Sequence, residues 1–244
     1  MSGRADRRVR RLGRRWERPS REGGASVTEE AEERLDRYAE LLRDSPINLV
    51  SRGARASVRE RHIVESRAVV EHLNPRPDSS WLDLGTGGGL PGIVLAIERP
   101  DVEVVLADAR AKKVREVERF CAVLGVANAA VRCGRAEQLA RDPELRGRFD
   151  GVLVRALGTL PVVAELARGF VGPGGEIVAV KGPGVDAELE AGRSAADMLG
   201  LDIESVEEVA DAATVVRLVR FRAVGAPPAT TPRADGVPQR HPLA

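Results

Sequence analysis

Aromatic residues are scarce in this chain: Phe, Trp and Tyr make up 3% of its 244 residues, with a single tyrosine. A core must therefore be packed mostly from Val, Leu and Ala, and the hydrophobic content of 43% supplies them. No apolar run approaches the roughly 18 residues of a membrane span, which argues against a membrane protein. The N-terminal stretch is rich in arginine but has no apolar segment of the kind a secretory signal carries, so a cytoplasmic location is expected. Cysteine is nearly absent too. Cys121 and Cys133 have no metal-like spacing and no need to pair, so each reads as a reduced thiol in or near the core. No metal site is expected.

The formal net charge of +1 hides an asymmetry. Residues 1–22 hold nine arginines against Asp6, Glu17 and Glu22, a net of +6, and the remainder is mildly acidic. Such an arm points to a polyanionic partner, nucleic acid before membrane, without sequence selectivity of its own.

Punctuation by glycine and proline divides the rest. Residues 1–26 read as a basic disordered arm and 27–75 as an N-terminal helical segment. Residues 76–223 form the main domain, and 224–244 read as a disordered tail with five prolines. A first helix starts near Val27, with Thr28 as its cap and acids in the first turn. A second spans about 58–73. Beyond residue 76, short apolar runs at 80–85, 102–108, 128–133, 149–156 and 175–182 alternate with helical stretches. That spacing predicts a parallel sheet with helices on both faces. Runs at 203–209 and 213–222 add a hairpin, giving seven strands with an antiparallel edge.

Directly behind the first strand stands "LDLGTGGGLPG" (82–92). Glycine costs backbone entropy inside regular structure, so five of them imply a loop that turns tightly and lets a ligand approach its backbone. In an open parallel sheet, ligands bind outside the carboxyl ends of the strands, where this loop lies. Two nucleotide classes fit the spacing. Gly87-x-Gly89-x-x-Gly92 satisfies the dinucleotide pattern, with Asp108 some 20 residues on as ribose ligand. Asp83-x-Gly85-x-Gly87-x-Gly89 equally fits S-adenosylmethionine enzymes, and seven strands with a terminal hairpin favour that methyl donor. The fold class is then a Rossmann-like class I S-adenosylmethionine methyltransferase. In such enzymes the loop after the third strand passes the adenine ring, and Ala136 and Glu137 in "CGRAEQL" (133–139) stand there.

Seven segments in order resemble one family. They are "INLVSRG", "ERHIVES" (60–66), "LDLGTGGGLPGIVLAI" (82–97), "ADARAKKVREV" (107–117), "CGRAEQL", "FDGVLVRAL" (149–157) and "GGEIVAVKGP" (174–183). Together they are similar to the bacterial 16S rRNA guanine-N7 methyltransferases, the RsmG or glucose-inhibited division protein B family. The Leu-Pro-Gly-Ile end of the glycine loop discriminates best. The resemblance implies that Gly85, Leu90, Ala136, Glu137 and Arg155 contact S-adenosylmethionine and that Asp108 takes the ribose; Gly87 and Gly89 of the glycine loop are expected beside them as cofactor-binding residues. Arg61, His62 and Lys181 match recurrent polar positions on the substrate side. The family's target is guanine 527 of 16S rRNA, so the implied partner is 16S rRNA, in the 30S subunit or an assembly intermediate, and a monomer is expected. The sequence departs from the family on the substrate side, with Asp44-Ser45-Pro46-Ile47 where a Trp-Asn pair is usual and Arg67 where an apolar residue is common.

Chemistry by omission agrees. "VRALGTLP" at the end of the fourth strand has no Asn/Asp-Pro-Pro-aromatic box for an exocyclic amine, and neither cysteine lies where a covalent cytosine methyltransferase needs one. Guanine N7 is a proton-free lone pair and asks for positioning rather than a base. Arg52, Arg55, Arg59, Arg61, Arg67, Arg110, Lys112 and Lys113 are the expected basic substrate face. The alternatives are a methyltransferase of this fold acting on a small molecule and a non-catalytic, ribosome-associated donor-binding protein.

Overall fold

The computed structural model describes residues 24–49, 57–210 and 215–243. Strands β1 (Ser80–Leu84), β2 (Glu103–Asp108), β3 (Ala129–Cys133), β4 (Phe149–Arg155), β5 (Val171–Lys181), β6 (Leu201–Ala210) and β7 (Val215–Ala223) form one sheet. Its order is β3-β2-β1-β4-β5-β7-β6. β1 to β5 are parallel, and β7 runs antiparallel to both β5 and β6. The order turns back on itself between β1 and β4, which places a crevice at their carboxyl ends.

Helices α1 (Gly24–Arg43), α2 (Val64–Leu73), α3 (Gly92–Glu98) and α4 (Ala111–Val123) contribute to one apolar layer. Helices α5 (Ala136–Leu139), α6 (Leu160–Arg168) and α7 (Leu189–Leu199) contribute to the other. The two-residue period of a strand sorts side chains between them. Trp81, Leu153, Val178 and Leu218 face the first layer, whereas Leu82, Val152, Ile177 and Val219 face the second. The few aromatics are shared out, with an edge-on Tyr38–Phe120 pair in the first layer and Phe149–Phe170 in the second.

Three expectations change. The first helix begins at Gly24, so Thr28 lies inside α1 and is not its cap. The N-terminal helices are not set apart, since Leu35, Tyr38 and Leu42 share a layer with α3. The tail is not loose. Residues 224–243 lie against α5 and α6 and include a short helix, α8 (Val237–Arg240). Proline-rich backbone lacks N–H groups but keeps its carbonyls, and here arginines of the domain satisfy them. Arg146 donates to Pro228 and Thr231 carbonyls at 2.7 and 2.8 Å, and Arg141 to that of Pro232 at 2.8 Å. The arm up to residue 23 lies outside the described residues, as do Arg52 and Arg55. Of the cysteines, Cys121 is buried, with its thiol pushed up to about 12 by burial, whereas Cys133 is exposed. Among the described residues no helix is long and apolar enough to cross a membrane, and no cluster of His, Cys, Asp or Glu could hold a metal ion.

Candidate functional site

The loop between β1 and α3 is built by hydrogen bonds that pull it across the end of β2. Gly85 and Thr86 donate their N–H groups to the Ala107 carbonyl at 2.8 and 2.9 Å. Gly87 N–H reaches Asp108 Oδ2 at 3.1 Å, and Arg110 N–H reaches Oδ1 of the same carboxylate at 2.8 Å. Asp108 thus pins the loop while Lys113 Nζ stands 3.8 Å away. From behind, the chain's one tyrosine takes part: Tyr38 Oη donates to the Gly88 carbonyl at 2.8 Å. Gly85, Gly87 and Gly89 have φ of +78°, +62° and +97°, the left-handed region that side chains avoid. Leu90 is buried beside them.

Asp83, inside β1 and buried, staples the two ends of the loop. Its Oδ2 accepts from Thr86 Oγ1 at 2.7 Å and from Gly92 N–H at 3.0 Å, while Oδ1 has no partner among the described residues. Burial raises this carboxyl to about 6, against the pull of the Thr86 and Gly92 hydrogen bonds. A carboxyl that binds its proton more tightly when folded adds stability that is full below the unfolded value near 4 and is lost as pH rises through 6. Asp83→Asn does not titrate. Its stability relative to the wild type therefore shifts by roughly 2 kcal/mol in favour of the variant between pH 4 and 7. Urea denaturation of both proteins at pH 4, 5, 6 and 7 measures this. A shift of the opposite sign would mean that the fold prefers the charged form.

A second group gathers at the ends of β4 and β5. A cavity of about 280 Å³ is lined by Glu65, Val154, Arg155, Ala156, Leu157, Lys181 and neighbours. Arg155 Nη1 meets Glu65 Oε1 of α2 at 2.5 Å. Ala156 sits at φ +56°, a strained setting for a residue with a Cβ and one found most often at functional sites. Lys181 Nζ bonds the Gly158 carbonyl at 2.9 Å and Glu188 Oε2 at 2.8 Å. It ties the β4–α6 loop down. Leu157 joins the two groups, since a Cβ on Gly85 would stand 2.9 Å from Leu157 Cδ1.

His62 lies in a π-helical segment, Val58–Ile63, that leads into α2; such segments are frequent at functional sites. Burial, then Arg155 and Arg61, depress its imidazole below the usual value, and neither ring nitrogen has a partner among the described residues. It is a half-buried imidazole whose surroundings favour the neutral form. Arg61 is exposed beside it. The expected basic face is thinner than its sequence suggested. Arg59 is taken by Glu32 and Asp36 at 2.6 and 2.5 Å, and Arg67 by Glu98 at 2.6 Å and by Glu32, so both tie helices together. Arg110 and Lys112 remain exposed.

Ala136 and Glu137 open α5 behind β3. The Glu137 carboxylate is buried and accepts from Arg135 Nη2 at 2.8 Å and from the Gly236 N–H of the tail at 2.7 Å. Three residues of the site were not singled out in the sequence: Tyr38, Glu65 and Gly236. In the sequence Tyr38 falls with Leu35, Leu41 and Leu42 on one apolar helical face, and Glu65 stands within the quoted "ERHIVES".

Comparison with known proteins agrees with this geometry. The family model for GidB, rRNA small subunit methyltransferase G, matches residues 31–216. The ribosomal RNA small subunit methyltransferase G of Deinococcus radiodurans is 39% identical over 223 residues, covering 87% of this chain and 85% of that protein. Its counterpart in Deinococcus deserti is 37% identical over 219 residues, covering 86% and 88%. Among solved structures, the cyclase SpnF superposes with a TM-score of 0.57 at 13% identity, over 82% of this chain and 95% of that one, a likeness of fold alone. With its glycine loop, its β2 acid and the matched span that contains both, the chain belongs to the GidB family, the rRNA small subunit methyltransferase G proteins.

Proposed function

We propose that this chain transfers a methyl group from S-adenosylmethionine to N7 of a guanine in 16S rRNA, with guanine 527 of the small subunit as the expected target. The residues fit the donor. The loop holds Gly87 at φ +62°, and the nearest atom to a Cβ placed there is 3.7 Å away, so the space in front of the backbone is open. The Gly85 carbonyl and Asp108 border that space; on this reading Gly89 and Leu90 of the same loop also serve the donor, with Ala136 and Glu137 for the adenine and Arg155 toward the methionine end. When bound, the donor supplies an electrophilic methyl group on a sulfonium.

The observation that carries the acceptor assignment is the cavity beside the glycine loop. Ligand pockets run to roughly 300–1,000 Å³, so one of about 280 Å³ suits a single flipped base rather than a stretch of backbone. Among the described residues the one carboxylate lining it, Glu65, is held by Arg155 and is poorly placed to remove a proton. Guanine N7 asks for none. What these residues supply is positioning and exclusion of water. His62, neutral near pH 7, is available as a hydrogen-bonding group for the RNA, and the exposed Arg61, Arg110 and Lys112 meet phosphate without reading sequence. Lys181 acts one step back by holding the loop that carries Ala156 and Gly158. The 30S subunit or an assembly intermediate is the proposed partner, and the cytoplasm the proposed location.

The test is transfer of labelled methyl from S-adenosylmethionine to undermethylated 30S subunits, with the product mapped by cleavage at N7-methylguanosine. One modified guanine is the expected result. Donor binding without any RNA methylation would overturn the rRNA reading and favour a small-molecule acceptor or a non-catalytic factor.

A further inference from the structure

The C-terminal tail lies beyond residues 31–216, the span of the family model, yet it is bonded to the element expected to meet the donor's adenine. Helix α5 has four residues and cannot fix its own position. Its polar groups instead engage the tail. Gly236 N–H donates to Glu137 Oε1 at 2.7 Å, and Gln138 Nε2 donates to Asp235 Oδ2 at 2.5 Å. Arg141 bridges the two, with Nη1 on the Glu137 carbonyl at 2.6 Å and Nη2 on the Pro232 and Arg233 carbonyls at 2.8 and 3.1 Å.

The tail is itself anchored from below. Helix α6 is apolar and buried throughout except for Glu165 and Arg168, both inaccessible. Glu165 accepts from Arg233 three times: from Nε at 2.8 Å, from Nη2 at 2.6 Å and from the backbone N–H at 3.0 Å. Arg168 Nη2 holds the Gly225 carbonyl at 2.8 Å where the tail begins. A carboxylate in an apolar helix is costly unless it is paired, so Glu165 makes sense only beneath this segment. Glu137 is in the same position. Burial pushes its carboxyl up, but the Arg135 guanidinium and the Gly236 N–H outweigh that and hold it below the usual carboxylate range. A loose tail would take the Arg233 guanidinium from Glu165 and the Gly236 N–H from Glu137 of α5.

We infer that the C-terminal tail is a structural part of the donor site, in which Arg233, clamped by Glu165, positions Gly236 against Glu137 and so sets the affinity for the adenine end of S-adenosylmethionine. Arg233 is a positioning residue on this account and touches no reacting atom. The inference rests on the assignment of Ala136 and Glu137 to the adenine.

The experiment uses the full-length protein carrying Arg233→Met, Arg233→Lys or Glu137→Gln, with Phe170→Leu as a control. Phe170 is buried against Phe149 in the second apolar layer and carries no polar group, so its variant lowers stability while leaving the Glu165–Arg233 and Glu137–Gly236 hydrogen bonds their partners. Donor dissociation constants are measured by calorimetry at a temperature where every variant is folded, for S-adenosylmethionine and for an analogue with hypoxanthine in place of adenine. Loss of a charge-assisted anchor predicts about tenfold weaker binding of S-adenosylmethionine by Arg233→Met, with partial rescue by Arg233→Lys. Discrimination against the hypoxanthine analogue narrows in parallel, and kcat at saturating donor stays within about twofold. Phe170→Leu keeps the wild-type affinity despite its lower Tm. If Glu137→Gln weakens binding and Arg233→Met does not, the tail is a passive cover and the inference falls while the adenine assignment stands. If Glu137→Gln itself changes neither affinity nor discrimination, the adenine is not read at α5 and both fall.

Discussion

Gly87→Arg abolishes methyl transfer, with a loss of at least about 1,000-fold, and leaves a folded protein. The two halves of that result have separate causes. Folding tolerates the change because the space around Gly87 is open, with Lys113 Nζ at 3.7 Å and the Gly85 carbonyl at 3.8 Å from an ideal Cβ. What it pays is the left-handed backbone, about 1–2 kcal/mol for a residue with a Cβ. In a domain of this size that lowers Tm by roughly 2–8 °C. Function does not tolerate it. The same open space is the proposed donor site, and an arginine there would set a bulky cation against a sulfonium. A thousandfold loss corresponds to about 4 kcal/mol of transition-state stabilisation, well within what exclusion of a substrate removes. Calorimetry with S-adenosylmethionine, a methylation assay and thermal unfolding measure the three quantities.

Gly92→Ala is the informative contrast, only five residues along the same loop. A Cβ at Gly92 would stand 2.3 Å from Leu106 Cδ2 and 2.6 Å from Asp83 Oδ2. It collides with a strand and with the carboxylate that staples the loop, and overpacking of this kind costs about 1–3 kcal/mol or more. Its loss of activity comes with a fall in stability. Identical stability and activity profiles for the two variants would mean that the loop is a folding element alone.

The strands and the glycine loop were legible because their signals are local. Short apolar runs bounded by turn residues mark the strands within a residue or two, except that β5 starts at Val171, four residues before the run at 175–182, and the spacing of Gly85, Gly87 and Gly89 needs no distant partner to be read. What was not legible depends on contacts across long separations. Arg155 reads as a free cation aimed at the donor, yet its nearest acid, Glu65, is 90 residues away. Tyr38 reads as core and is core, but its hydroxyl holds the Gly88 carbonyl 50 residues on. The tail shows the limit most clearly. Five prolines in 20 residues lack the apolar content to fold alone, and composition judges a segment alone. The acids and arginines that hold this one stand on α5, on α6 and in the loop between α5 and β4. The arginines of the substrate side mislead in the same way. Arg59 and Arg67 look like phosphate ligands by type, and each has already been claimed by acids of α1 or α3.

The pairing of Arg155 with Glu65 supplies a second large effect. The two side chains keep 23% and 14% of their exposure, so the pair is neither a surface bridge nor a fully buried one. Arg155→Met leaves Glu65 without its cation. The stability cost is about 2 kcal/mol, below the 3–5 kcal/mol typical of a fully buried pair because solvent still reaches both groups. The effect on catalysis is larger, about a hundredfold in kcat/KM, because Arg155 ends the strand between the glycine loop and the cavity. Stability and activity are separable through the exchanged pair Glu65→Arg with Arg155→Glu. Attraction between opposite charges survives an exchange of places, so this double variant regains most of the lost Tm. It does not regain activity, since an acid then stands where β4 ends and a cation lies against α2. Single-turnover methylation of 30S subunits and thermal unfolding of the four proteins complete the cycle. Recovery of both quantities in the exchanged pair would reduce Arg155 to a strut between β4 and α2, and with it would go its assignment to the donor.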